Sequence, residues 1–310
     1  MTSEAPALPR AGIRLWLQAV RIYAFPASAI PLALGALSAH RSGSPIDWWL
    51  LPAVMLGGML LHAACNLQND RDDFVRGVDR PGTKGGNGLL VASIMTPEAT
   101  ERAALICLGV AAAIGIPLAI LRGWPLLLVG IAGVLGAWGY TARGRGYKYV
   151  ALGDPMVGIL MGPLMVLGSH LALGAPIAWA PVALSAPVAC LVIAILAANN
   201  LRDIEDDSSA GVTTLAILLG QRGALAWYLL LLGGAYLSLG ALVLTRMLPW
   251  TGLAALLSLP LAIRNARRAT LGVMRSQPEH LDAIVIPTAR LHLAFGVLMI
   301  GGTLAGELLR

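Results

Sequence analysis

Two short runs of this chain hold enough carboxylates to do chemistry. The first, from Asn66 to Asp79, reads Asn-Leu-Gln-Asn-Asp-Arg-Asp-Asp-Phe-Val-Arg-Gly-Val-Asp and follows directly on an apolar run that begins near Trp48. If that helix continues, Asn66, Asp70 and Asp73 stand at offsets 0, +4 and +7 and share one face. Gly77 then ends the helix and Asp79 follows in the loop. The second run, Asn199-Asn200-Leu-Arg202-Asp203-Ile-Glu205-Asp206-Asp207, closes another apolar run, with Asn199, Asp203 and Asp207 recurring every four residues. An ionisable group held at membrane depth costs about 2.5 to 3.5 kcal/mol, so clusters this dense call for water, a compensating cation or both. A divalent metal among amide and carboxylate oxygens is the simplest answer. The expectation is two Asn/Asp stripes, each at the same end of its own helix, facing one another across a bundle.

The elements that must position these stripes are apolar. Of 310 residues, 57% are hydrophobic and only 12% charged. With a mean hydropathy of +0.75, this is the composition of a polytopic membrane protein. Nine segments are long enough to cross about 30 Å of hydrocarbon: roughly 15–39, 48–67, 103–121, 124–141, 150–173, 176–201, 223–245, 247–263 and 284–306. The expected fold is all-α, with nine transmembrane helices. Residues 1–13, polar and Pro-containing, read as a cytoplasmic tail, and 14–310 as one domain. Of the 22 Lys and Arg residues, all but Arg41, Arg122, Arg246 and Arg310 fall on one set of connections. The positive-inside rule then puts the N-terminus and both acidic clusters on the cytoplasmic side of the cell membrane and the C-terminus outside.

The basic pI near 9.6 is therefore a matter of topology, and loops this short leave no room for a nucleic-acid-binding module. Cys65, Cys107 and Cys190 lie inside apolar runs without metal-ligand spacing and read as buried, inert thiols. The first apolar run exceeds a signal-peptide h-region in length. His62, His170 and His292 stand singly in apolar surroundings and read as structural, and Trp48, Trp49, Trp124, Trp179 and Trp250, all beside outer loops, as an interfacial belt.

Three basic segments border the clusters. Arg21 opens the first helix in Arg-Ile-Tyr-Ala-Phe-Pro, where it either snorkels to lipid phosphate or meets an anionic substrate. The Gly-rich run Arg80-Pro-Gly-Thr-Lys84-Gly-Gly-Asn87-Gly suits a flexible lid that brings donors to a phosphate group. Tyr140-Thr-Ala-Arg143-Gly-Arg145-Gly-Tyr147-Lys148-Tyr149, which leads to Asp154, is either an ordinary positive-inside loop with interfacial tyrosines or a phosphate and aromatic-acceptor site.

These motifs resemble a known family. The order Asn66…Asn69-Asp70-x-x-Asp73…Gly77-x-Asp79, then Tyr140-Thr141…Leu152-Gly153-Asp154, then Asn199-Asn200-x-Arg202-Asp203-x-x-x-Asp207…Thr214-Leu-Ala…Leu-Gly220 is similar to the UbiA superfamily of intramembrane aromatic prenyltransferases. Within it the chain looks most like the 1,4-dihydroxy-2-naphthoate prenyltransferases of menaquinone synthesis. The likeness runs from about Arg21 to Gly220; beyond that only apolar helices match. Val78-Asp79-Arg80-Pro81-Gly-Thr-Lys84 stands where the hydroxybenzoate, haem and chlorophyll branches carry an Arg-Thr-x-x-Arg-Pro signature. Arg71, where naphthoate enzymes commonly have Tyr, and Val212, where they have a cation, depart from the pattern.

The resemblance implies a central polar cavity open to the cytoplasmic side and Mg²⁺-dependent transfer of an isoprenyl chain from a polyprenyl diphosphate to an aromatic small molecule. With 1,4-dihydroxy-2-naphthoate as acceptor the products are demethylmenaquinone, diphosphate and CO₂. It further implies that Asp70, Asp73, Asp203 and Asp207 are catalytic and hold Mg²⁺ together with Asn66 and Asn199. Arg21, Lys84, Arg143, Lys148 and Arg202 would bind diphosphate, and Tyr140, Tyr147, Asp79 and Asp154 would face the acceptor or the allylic cation, with the polyprenyl tail among apolar helices in the bilayer. The alternatives are the same ionisation chemistry with another aromatic acceptor or none, as in a membrane terpene cyclase, and, more remotely, an ion-coupled transporter. A transporter sets its carboxylates at mid-membrane, whereas these lie at helix ends.

Overall fold

The computed structural model describes residues 12–309, and among them the chain is helical, with one isolated parallel bridge between Val150 and Thr213 as its only β pairing. The expected tail at 1–13 lies outside the described residues up to Ala11, and Ile13 already opens a helix. In chain order the α-helices are α1 Ile13–Ala19, α2 Pro26–His40, α3 Leu51–Arg76, α4 Pro97–Arg122, α5 Trp124–Gly139, α6 Gly153–Ile159 and α7 Met165–Ala172. They continue as α8 Ala180–Leu184, α9 Ala186–Arg202, α10 Ile204–Ser209, α11 Leu215–Leu244, α12 Leu259–Met274, α13 Pro278–Asp282 and α14 Val285–Leu308.

By length and composition, six helical stretches among the described residues can cross a membrane: Ile22–His40, Trp48–Arg76, Pro97–Arg122, Gly153–Ala172, Leu215–Leu244 and Val285–Leu308. Trp124–Gly139 and Ala186–Arg202 are apolar but shorter. The segment expected at 247–263 is divided between a 3₁₀ stretch, Trp250–Ser258, and α12. That at 15–39 is broken at Arg21, whose φ of 56° and ψ of 53° lie in the left-handed region and separate α1 from the turn leading to α2. Gly162 and Pro163 interrupt the helix that starts at Gly153, leaving a π turn between α6 and α7 where Pro163 supplies no N–H to the ladder.

α3 packs along α4, α9 along α11, α2 against α7, and α14 against both α9 and the 3₁₀ stretch. The largest buried cluster, including Leu191, Tyr228, Leu239, Leu291 and Phe295, fills the C-terminal half. A second, around Leu32, Ala39, Val54 and Leu173, closes the end away from the acidic runs. Apolar side chains such as Ile106, Ile120, Leu135, Leu230, Leu237 and Leu244 point outward, as a lipid-facing surface requires. Between helices, contact relies on small residues. A Cβ on Gly35 of α2 would stand 2.4 Å from the Val166 carbonyl and 2.6 Å from the Ser169 Cβ, and Ser169 Oγ donates to the Leu32 carbonyl at 2.7 Å.

Candidate active site

α3 stays helical well past its apolar stretch, and Asn69, Asp70, Asp72 and Asp73 are buried on it. Gly77, at φ 78°, ends the helix in a left-handed turn: Val78 N–H donates to the Asp73 carbonyl at 2.8 Å and Gly77 N–H to that of Phe74 at 3.0 Å. The turn folds the following loop back over the acidic face. Asn87 Nδ2 donates to Asp70 Oδ2 at 2.6 Å, and the Asp79 carboxylate rests on Gly85 and Gly86. Gly86 has φ +67°, and a Cβ there would stand 2.2 Å from Asp79 Oδ2. The Gly-rich run is thus packed onto the cluster it was expected to cover.

Each cluster meets its own cations. The left-handed turn at Arg21 aims its guanidinium at Asp70, with which it forms a buried ion pair. Arg21 Nε, also buried, has no partner. Lys148 reaches in from the α5–α6 connection to pair with Asp73 and donates to Asn69 Oδ1 at 2.9 Å, while Tyr149 OH donates to Asp73 Oδ1 at 2.8 Å. The Lys148 ammonium lies 5.9 Å from the Tyr140 ring centroid. In the second cluster Arg202 grips Asp203 through two bonds of 2.6 Å and donates to Asn199 Oδ1 at 2.7 Å.

The helical stripe expected through Asn199, Asp203 and Asp207 is broken at Asp203. α9 ends at Arg202 and α10 begins at Ile204, with Glu205, Asp206 and Asp207 in its first turn. Three acids at a fresh helix N-terminus meet the positive end of its dipole, which a continuous helix would deny them.

The two clusters come together as expected. Arg80 Nη2 donates to Ser209 Oγ at 2.6 Å and Lys84 N–H to Asp206 Oδ2 at 3.3 Å. Val78, Tyr149 and Val212, one from each bordering loop, form a small buried apolar cluster, which gives Val212 a packing role. The shared electrostatics agree. Burial, then Asp73, push Asp79 up to about 7. Burial, then Asp203 and Asp73 against the opposing pull of Lys148, push Asp207 up to about 6. Burial works against the Lys148 charge, but Asp73, Asp207 and Asp79 outweigh it and raise its pKa.

Other expected site residues point elsewhere. Lys84 Nζ pairs with Asp282 at 2.6 Å, both about half exposed, and the exposed Arg143 guanidinium meets Glu101 at 3.1 Å. Neither side chain contacts Asp70 or Asp73. Tyr147 OH donates to the Gly136 carbonyl at 2.7 Å while its ring meets Tyr140 edge-on at 5.5 Å. Asp154 accepts from Asn200 Nδ2 and from Trp227 Nε1, each at 2.8 Å, so both its oxygens tie α6 to α9 and α11. Asn66 donates to the Val20 carbonyl at 3.3 Å.

A family model described as "UbiA prenyltransferase family" matches residues 28–280. The chain belongs to that family. It is a prenyltransferase, and its relatives span nearly its whole length. The UbiA prenyltransferase domain-containing protein 1 of Xenopus tropicalis is 36% identical over 93% of this chain and 81% of its own. The 1,4-dihydroxy-2-naphthoate octaprenyltransferase of Bacillus subtilis is 31% identical over 97% and 95%. The fold matches that of a UbiA homolog from Archaeoglobus fulgidus bound to GPP and Mg²⁺, with a TM-score of 0.59 at 18% identity over 92% of this chain and 99% of that one.

Among the described residues, no three His, Cys, Asp or Glu side chains converge into a ready-made metal cage. The donor chemistry nonetheless fits Mg²⁺, which binds through one or two carboxylates, waters and substrate phosphates and needs no all-protein cage. Asp70, Asp73, Asp203 and Asp207 carry such oxygens, the first three paired with Arg21, Lys148 and Arg202. Trp227, which holds Asp154, and Asn87, which holds Asp70, are contacts that sequence reasoning missed. Nothing marks Trp227 within the apolar run of α11, and Asn87 reads as one polar residue of a Gly-rich loop.

Proposed function

We propose that this enzyme catalyses Mg²⁺-dependent transfer of an isoprenyl chain from a polyprenyl diphosphate to 1,4-dihydroxy-2-naphthoate, releasing diphosphate and CO₂. The observation that carries the diphosphate half is the ring of cations on the two acidic clusters, with the buried, unpartnered Nε of Arg21 among them. A diphosphate entering there exchanges partners with the carboxylates. Arg21, Lys148 and Arg202 turn from Asp70, Asp73 and Asp203 to the phosphate oxygens, and the released carboxylates become available to Mg²⁺. When bound, Mg²⁺ neutralises charge on the departing diphosphate.

Arg21, Lys148 and Arg202 hold that leaving group by charge-assisted hydrogen bonds that strengthen as the allylic C–O bond breaks. The Tyr140 ring, already near a cation at Lys148, offers its face to the allylic carbocation. Apolar helices hold the polyprenyl tail and exclude water, which would otherwise capture the cation. The electron-rich naphthoate carbon that bears the carboxylate attacks the allylic carbon, and loss of CO₂ returns the bonding pair to the ring. The product is the quinol form of demethylmenaquinone.

The naphthoate acceptor rests on the likeness to the Bacillus subtilis enzyme and on the motif order of the sequence. The likeness to the Xenopus tropicalis protein, whose name states no acceptor, keeps another aromatic as the second reading. We place the enzyme in the cell membrane with nine crossings, the N-terminus and both clusters facing the cytoplasm and the C-terminus outside. The test is purified protein with Mg²⁺, a polyprenyl diphosphate and a panel of aromatic acceptors, read by mass spectrometry. Prenylated, decarboxylated product from the naphthoate is expected; prenylation of a different aromatic alone, or a cyclic terpene formed without acceptor, overturns the assignment.

A further inference from the structure

Away from the carboxylate site, the charged end of α3 and the connection after α5 enclose a second basic feature. Arg71, Asp72, Val75, Arg76, Arg143 and Arg145 line an open depression of about 240 Å³. Asp72 is already satisfied by Arg71 Nη1 at 2.7 Å and the Arg143 N–H at 2.8 Å. Glu101, just behind, takes the Arg71 and Arg143 guanidiniums at 3.5 and 3.1 Å. Arg76 lies over the Tyr149 ring at 4.4 Å, and the exposed Arg145 lines the same depression, so four guanidiniums gather where Asp72 and Glu101 are the neighbouring carboxylates. The lining of the depression carries a surplus of positive charge, which suits an anion.

Its depth identifies the source. Arg71 follows Leu67, the last apolar residue of α3 before its polar turns, by one helical turn, about 6 Å along the axis. Headgroup layers occupy about 5 to 8 Å beyond each side of the hydrocarbon. Farther along the helices toward the apolar layer, Leu105, one turn from Glu101 on α4, and Leu135, one turn from Gly139 on α5, are 48% and 66% exposed. A ligand with its phosphate among the arginines would lay acyl chains on those leucines, and a soluble phosphate would leave that surface unused.

We propose that this depression binds the phosphate headgroup of an anionic phospholipid from the adjoining leaflet, separately from the diphosphate site. The test uses nanodiscs of equimolar phosphatidylcholine and phosphatidylglycerol and counts the lipids retained by native mass spectrometry. Wild-type protein should retain phosphatidylglycerol preferentially. Arg145→Glu should lower that preference at least about fivefold, as loss of one surface cation near an anionic headgroup predicts. Arg264→Glu, on the exposed side of α12, should leave it unchanged, and added free diphosphate should not displace the lipid. Should Arg145→Glu fail to fold, Arg145→Gln gives the same comparison with a smaller loss. Equal retention by wild type and a folded Arg145 variant overturns the proposal, as does displacement by free diphosphate, which would make this a soluble-phosphate site.

Discussion

Arg21 is held between two tasks. It pairs with Asp70, and in the proposed reaction it serves the diphosphate. Removing one member of a buried ion pair leaves the other uncompensated, at a cost of about 3 to 5 kcal/mol. Arg21→Met should therefore lower the thermal unfolding midpoint and weaken diphosphate binding, whereas Arg21→Met/Asp70→Asn should recover stability without activity. Thermal unfolding in detergent together with steady-state kinetics checks this; a single variant that keeps wild-type activity contradicts the assignment.

Asp207 and Asp79 carry a pH signature. Their carboxyls titrate near 6 and 7 in the folded protein, above the unfolded value of about 3.9. Because the raised pKa favours the protonated form, the ligand-free protein should lose stability as pH rises from about 4 through 7, with little further loss above. Mg²⁺ requires the ionised form of Asp207, so its binding should release protons, and its affinity should rise between about pH 5 and 7. Titration calorimetry in buffers of different ionisation enthalpy measures the release. Identical apparent enthalpies in all buffers at pH 6 would mean that the Asp207 carboxyl is not engaged.

Among the elements, the joints matter more than the rods. Asp154 ties α6 to α9 and α11 by accepting from Asn200 and Trp227. Trp227→Phe keeps the aromatic bulk but leaves one buried carboxylate oxygen without its donor, a loss of about 1 to 3 kcal/mol. The expected outcome is a lower unfolding midpoint with KM for the diphosphate unchanged within about twofold; a large rise in KM would give Trp227 a direct part in substrate binding. Gly86→Ala forces a Cβ into the Asp79 carboxylate at a left-handed position. It should displace the loop over the first cluster and reduce kcat at least about tenfold, whereas unchanged kcat would detach that loop from the chemistry.

These joints also mark how far the sequence could be read. The rods were legible because the bilayer imposes long apolar runs, and the end of α3 because Gly at a C′ position has one dominant use. The breaks at Arg21 and Asp203 were not: Arg21 turns toward Asp70 on another helix, and at Asp203 the spacing of four hides a fresh helix start that serves Glu205, Asp206 and Asp207. The acidic clusters and Lys148 announced themselves by cost. Lys84 and Arg143 looked equivalent to Lys148 in sequence, and only their nearby acids, Asp282 and Glu101, draw them elsewhere.

Across the whole molecule, the proposed reaction needs both clusters at one membrane face and the apolar helices between that face and the other. With Cys65, Cys107 and Cys190 replaced by Ser, Ser208→Cys should react with an impermeant maleimide only from the cytoplasmic side. Thr245→Cys, beyond the far end of α11, should react only from outside; the reverse pattern would invert the proposed topology. Transfer to a naphthoate with loss of its carboxyl is read out with carboxyl-¹³C-labelled 1,4-dihydroxy-2-naphthoate. In the presence of Mg²⁺ and polyprenyl diphosphate, one ¹³CO₂ and one diphosphate should appear for each prenylated quinol, and Asp70→Asn or Asp203→Asn should abolish all three together. Diphosphate release without ¹³CO₂, or a prenylated product that retains the label, would contradict it.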